Sequence, residues 1–240
     1  MYLFSKKSIP SSILIFALLL IAVSTSFGEI AVFDRVTTVR TPVRIIVLTK
    51  GRFFAKGGML ADIYLDDEHL KKILTGGDGY GYLKYVPQAP GFIKITARAD
   101  KDEASGLILV MAKNEKAIII ETEAGFKDTL LSEEIRKNSQ NAVNSLSKKY
   151  KIIYLSKYVG KGISRSWLEK NDFPSSVIFP WRGPQLFATL KEKGVQVHAI
   201  IGSSAVISEA KNYIENRYTF EESKEGKTVQ DWEEIVKLLE

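Results

Sequence analysis

Four short segments hold residues whose types and spacing could do chemistry: Glu121-Thr122-Glu123-Ala124-Gly125, Ser156-Lys157-Tyr158, Pro180-Trp181-Arg182-Gly183-Pro184 and Gly202-Ser203-Ser204. The second and third, with Lys161 and Arg165 close behind, gather a hydroxyl and several cations. A helix starting after Ser156 adds backbone N–H donors, an arrangement that holds a phosphate or another anionic group without cleaving it. Scattered surface lysines account for the same residues with no ligand at all. Glu121 and Glu123 equally read as a polar strand end facing solvent.

Other segments are weaker. Gly76-Gly77-Asp78-Gly79 has the look of a phosphate loop, but no lysine-serine/threonine pair and no helix follow it, so it reads as a hairpin turn. Tyr80, Tyr82 and Tyr85 suit a stacking surface for a glycan or nucleic acid, and suit strand packing better. His69 in Asp66-Asp67-Glu68-His69 reads as a solvated acidic turn, and His198 as a residue packed within a strand. The chain has no cysteine, which excludes a thiolate metal site, a cysteine nucleophile and a disulfide framework. Its 34 basic and 28 acidic residues are intermixed, and the net charge of +6 requires no nucleic-acid partner.

The elements that must position these residues fall into two textures. From Ile30 to Met111, short β-branched runs alternate with glycine and proline turns: Val43 to Thr49, Met59 to Leu65, Tyr80 to Leu83, Phe92 to Thr96 and Leu107 to Val110. This spacing predicts an antiparallel sandwich over 29–112. The stretch from Tyr85 to Ala97, with Pro90-Gly91 leading into Phe92-Ile93-Lys94-Ile95, resembles the closing hairpin of bacterial immunoglobulin-like modules. From Lys116 the rhythm becomes strand–helix: strands at 117–120, 152–155, 177–179, 195–201 and 218–221, with helices at 132–150, 166–170, 184–193, 205–215 and 232–239. Such alternation predicts a parallel sheet covered on both faces over 116–240, with ligands at the carboxyl ends of its strands.

The four segments, in this order on an alternating background, resemble the haloacid dehalogenase-like phosphatase superfamily, and within it the lipin-type phosphatidate phosphatase-like domains. Tyr154-Leu155-Ser156, the Pro180-Trp181-Arg182-Gly183-Pro184 segment and Gly202 carry the resemblance, which covers about 125 residues and leaves no room for a large cap. It implies that Glu121 stands for the family's nucleophile and Glu123 for its acid/base, with Gly125 in place of a threonine. Ser156 matches the phosphate-holding hydroxyl, and Lys191 or Lys193 the phosphate-holding lysine. Ser203 stands where the family has a metal-binding acid. The later acid falls at Ile207, with Glu209 the nearest carboxylate. Glutamate carries its carboxylate one methylene too far for an in-line attack, and neutral serines hold magnesium poorly.

Lys6 and Lys7, the eleven apolar residues Ile13 to Val23 and the small residues Ser26 and Gly28 predict a secretory signal over 1–28, cleaved before Glu29. An uncleaved anchor is the alternative, although a bilayer span needs about 20 apolar residues. The sequence therefore predicts an exported protein, periplasmic or extracellular, that is non-catalytic and needs no cofactor or metal. The resemblance implies a degenerate phosphatase-like domain behind an immunoglobulin-like one, with Ser156, Lys157, Arg182, Lys191 and Ser203 as candidate contacts for an anionic or phosphorylated ligand or a protein partner. The alternative is a magnesium-dependent phosphatase acting on a phospholipid or other phosphomonoester. A membrane would be met only through the uncleaved signal or a lipid substrate. The change of texture near residue 112 also predicts two separable pieces.

Overall fold

The computed structural model describes residues 30–51, 54–127 and 134–240. The predicted signal over 1–28 lies outside the described residues. Among those described, no helix is long and apolar enough to cross a membrane.

The N-terminal half forms two facing sheets. One has the order β1 (Ile30–Val32), β3 (Val43–Thr49), β6 (Tyr80–Tyr85). The other has the order β2 (Arg35–Thr38), β8 (Asp102–Met111), β7 (Gly91–Ala99), β4 (Leu60–Leu65), β5 (Glu68–Leu74). Alternation sets the inner faces: Val43, Ile45 and Val47 of β3 point into a core that also holds Ala61, Ile63, Ile95 and Ile108. All pairs are antiparallel except β2 with β8, which run parallel.

Two expectations change here. Asp66 and Asp67 both have positive φ (46° and 68°), the two-residue turn of a tight hairpin, so His69 lies on strand β5 rather than in a loop. There His69 Nε2 lies 3.0 Å from Asp62 Oδ1. Gly76 to Gly79 is a turn, with the Gly79 N–H donating to Gly76 O, but it carries the chain from one sheet to the other instead of closing a hairpin. Tyr80 stacks between Phe33 and Tyr82, with ring centroids 6.2 Å apart in both pairs, and the Tyr82 ring is half exposed.

The C-terminal half is a six-stranded parallel sheet in the order β11 (Val177–Pro180), β10 (Lys151–Ser156), β9 (Lys116–Glu121), β12 (Gln196–Ile201), β13 (Asn216–Thr219), β14 (Lys227–Thr228). Its central strand β9 is buried on both faces from Ala117 to Glu121, as a covered parallel sheet requires. Helices α2 (Ser139–Leu146), α3 (Lys161–Lys170) and α6 (Trp232–Leu239) supply one covering layer, around Phe126, Tyr154 and Trp232. Helices α4 (Gln185–Glu192) and α5 (Ser204–Ala210) supply the other, and a five-residue α1 (Thr122–Phe126) follows β9 directly.

The helix expected over 132–150 starts only at Ser139. Asn138 has φ 63°, and the Arg136 N–H donates to Phe126 O instead of to a helical carbonyl; Leu131 and Ser132 lie outside the described residues. Helix α6 is capped by Asp231, whose Oδ1 accepts the Glu234 N–H at 2.9 Å.

The turn at 112–115 does not divide the packing. Ile108 and Val110 of β8 face the sandwich core, whereas Leu109 and Met111 face the layer beneath α4 and α5, beside Ala117 and Ile119. All four are fully buried. One strand thus serves two cores.

A buried carboxylate joins the same halves. Asp34, with its side chain wholly inaccessible, accepts the N–H of Leu107 at 3.0 Å and of Ile178 at 2.8 Å. It also pairs with Lys161 at 3.2 Å and Arg165 at 2.5 Å. Every partner but Leu107 belongs to the α/β half.

Candidate functional site

In this sheet the chain winds from β9 through β10 to β11, then returns to the far side of β9 as β12. The crevice beyond β9 is therefore the switch point where doubly wound sheets place ligands. Glu121 ends β9 there and is 1% exposed. Its Oε2 accepts both the N–H and the hydroxyl of Ser203, each at 2.7 Å. Gly202 makes the room: a Cβ there would stand 2.9 Å from Oε2. Burial pushes the Glu121 carboxyl above its ordinary value, against the pull of the two Ser203 donors and the Lys157 charge.

Glu123, on α1, has the opposite environment. Its Oε1 accepts the N–H of Tyr158 at 3.1 Å and of Val159 at 3.4 Å, and the Ser156 hydroxyl at 3.3 Å. The Lys157 N–H reaches both carboxylate oxygens, at 3.1 and 3.2 Å, and Thr122 Oγ1 donates to Oε2 at 2.8 Å. Burial alone would raise this carboxyl, but the Tyr158, Thr122 and Lys157 donors outweigh it and hold it below the ordinary value. The Ser164 hydroxyl, 2.9 Å from Ser156 Oγ, fixes the cradle from behind. The backbone donors expected after Ser156 exist, and the protein's own anion occupies them.

The two glutamates line one wall of a cavity of about 340 Å³ whose far side is Thr219, Phe220 and Glu221. Glu221 Oε2 accepts the N–H and hydroxyl of Ser204, at 2.9 and 2.8 Å. Arg136 lies 4.1 Å over the Phe220 ring, and Lys127 lies 5.2 Å over Trp167.

Of the residues singled out in the sequence, Glu121, Glu123, Ser156, Lys157 and Ser203 meet at this edge. Lys157 contributes its backbone N–H, and its ammonium sits 5.1 Å over the Tyr158 ring. Arg182 does not join them: it lines a different cavity, between the two halves. Lys191 lies in the last turn of α4, where the chain turns back toward the opposite end of the sheet, and it lines a shallow surface pocket with Phe187 and Tyr213. Lys193 donates to Pro42 O at 2.8 Å. Lys161 and Arg165 face Asp34, not the site.

A magnesium ion does not fit these residues. Among the described residues no group of three or more histidine, cysteine, aspartate or glutamate side chains is arranged to hold a metal. Ser203 spends its hydroxyl on Glu121, and Ile207 is fully buried in the apolar layer. Glu209 is an exposed residue on α5. Gly125 cannot carry the family's threonine in place, since a Cβ would lie 2.9 Å from Ile120 Cγ2. His198 packs face to face with Tyr150, centroids 5.2 Å apart, as a strand residue would.

Sequence reasoning missed Asp34 and Glu221. Asp34 sits in Ala31-Val32-Phe33-Asp34-Arg35, a lone acid between apolar strand residues, and that placement is the one signal it gives. Glu221 follows the end of β13 and is legible only as another strand-end carboxylate.

No family model matches the chain, and no curated protein matches it. Among solved structures it is similar to a CARDB domain from Pyrococcus furiosus, at 16% identity over 35% of this chain and 96% of that one, with a TM-score of 0.28. It is also similar to the D0-D1 domain of intimin, at 9% identity over 38% and 56%, TM-score 0.31. Fibronectin(III)-like modules of CbhA from Clostridium thermocellum are similar at 17% identity over 35% and 97%, TM-score 0.25. The architecture given above rests on the strand pairing itself.

Proposed function

We propose that this chain is an exported, non-catalytic binding or interaction protein, an immunoglobulin-like module joined to a degenerate haloacid dehalogenase-like domain. The observation that carries the reading is the seat of Glu123. In a working phosphatase of this kind the donors after the second strand of the sheet hold the substrate phosphate. Here Ser156 and the Lys157, Tyr158 and Val159 N–H groups are satisfied by an internal carboxylate. A phosphomonoester entering would have to displace that charge from a buried position, at a cost its own hydrogen bonds only replace. Glu121 Oε2 is also already engaged, by the N–H and hydroxyl of Ser203.

The test is phosphate release from p-nitrophenyl phosphate and from phosphatidate vesicles by the purified protein, with and without magnesium. The expected result is release at the background rate in both. Magnesium-dependent turnover that Glu121→Gln abolishes would establish the phosphatase instead.

A further inference from the structure

The cavity that takes Arg182 has a volume of about 700 Å³ and lies between the sandwich and the β11–α4 edge of the α/β half. That volume is in the range of small-molecule sites, about 300–1,000 Å³. Its walls are apolar, built from Ile30, Val32 and Ile46 on one side and Phe179, Pro180 and Leu186 on the other. The stacked rings of Phe33 and Tyr80 also line it. The neutral polar side chains on the lining are few: Ser105, Gln185 and Thr189, with the Tyr80 hydroxyl.

The charges on this lining are one-sided. Arg35, Lys50, Lys161 and Arg182 are set against a single acid, Asp34. That acid is already consumed by Lys161, Arg165 and two backbone N–H groups. Arg35 spends Nε on Arg44 O and Nη1 on Asp34 O. Arg182 has no hydrogen bond or ion pair within the described residues, and it is exposed at the rim. A cationic rim over low-dielectric walls concentrates an anion, and the walls reward a hydrocarbon body. A polyol or a nucleobase would need more hydrogen-bonding groups than these walls carry, and a cation would meet net repulsion.

We propose that this cavity binds a small amphipathic anion, a hydrocarbon chain or ring bearing one carboxylate, with the apolar body between β1 and the β11–α4 loop and the carboxylate on Arg182. The inference is independent of the Glu121 site, and phosphatase turnover there would leave it standing.

The probe is dodecanoate, titrated below its micellar range into the full chain and followed by calorimetry, with dodecyltrimethylammonium as the charge-reversed control. The expected result is one dodecanoate per chain, bound at least about tenfold more tightly than the cation. Arg182→Glu, at an exposed and unpaired position, should weaken dodecanoate by about tenfold or more and erase the preference. Thr189→Trp, at an exposed lining position, should exclude both probes by filling the slot. Absence of binding, equal affinity for the two probes, or dodecanoate affinity indifferent to both variants would overturn the proposal.

Discussion

The carboxylate of Glu123 accepts the backbone N–H of Tyr158 at 3.1 Å, across the gap between α1 and the loop after β10. That bond and its neighbours make the first turn beyond the second strand an anion cradle with its anion built in. Glu121, two residues earlier, faces the other way and binds Ser203, the residue before α5. The two carboxylates therefore have opposite electrostatic fates, and that opposition can be measured.

Because its donors hold Glu123 below the ordinary value of 4.5 despite its burial, its ionised form favours the folded state. The stability it contributes is fully present above pH 4.5 and is lost as pH falls through the lowered folded value. Glu123→Ala leaves the Lys157, Tyr158 and Val159 N–H groups without their acceptor and should cost about 1–3 kcal/mol at pH 7. Urea melts from pH 7 to pH 3 should show the gap between wild type and variant narrowing toward acid. The same variant vacates the cradle, so inorganic phosphate should raise its Tm and leave that of the wild type unchanged.

For Glu121 the sign reverses. Burial raises its folded value above 4.5, so the stability it contributes is present below the ordinary value and is lost as pH rises through the raised one. Glu121→Gln keeps an acceptor for Ser203 and removes the ionisation. Its Tm should equal that of the wild type near pH 4 and exceed it at pH 7 and above. A variant less stable than wild type at every pH would contradict this assignment.

Asp34→Ala strips two cations and two backbone N–H groups of their shared partner in a buried place. The expected loss is about 3–5 kcal/mol, the range for breaking a buried ion pair from one side. Since β8 serves both cores, the transition should remain single, with tryptophan fluorescence, whose three reporters all lie in the α/β half, coinciding with far-ultraviolet circular dichroism. The separable halves that the change of texture suggests would instead give two transitions, or a folded piece after cleavage at 112–115.

Gly125→Thr restores the threonine that the phosphatase resemblance calls for. Its Cβ would press on Ile120, so thermal melts should show a loss of about 1–3 kcal/mol, the range for overpacking a filled core, and no gain of hydrolysis.

Much of the architecture was legible because burial writes periodicity into the chain. The β-branched runs of β3 and β9 and the strand–helix rhythm after Lys116 are direct consequences of which faces are covered. β5 was not legible, because Glu68 to Leu74 is an edge strand with hardly a buried residue and hence no alternation to read. The early start expected for α2 failed because tertiary contacts, with Arg136 held at Phe126 O, override a favourable helical stripe. At the site, the order of strand ends brought Glu121, Glu123, Ser156 and Ser203 together correctly. Which group Glu123 would bind, and that Arg182 would turn to the other cavity, depended on side-chain directions that spacing does not encode.

Asp34 also sets an order of events. Its acceptor sites are filled by residues 73 to 144 positions further along, ending with Ile178. As the chain emerges from its N-terminus, the sandwich strands are all present once Met111 is out, yet this acid still lacks Lys161, Arg165 and Ile178. Of its side-chain partners the early half supplies only the Leu107 N–H, so Asp34 gains its two cations when Lys161 and Arg165 arrive and its last donor with β11.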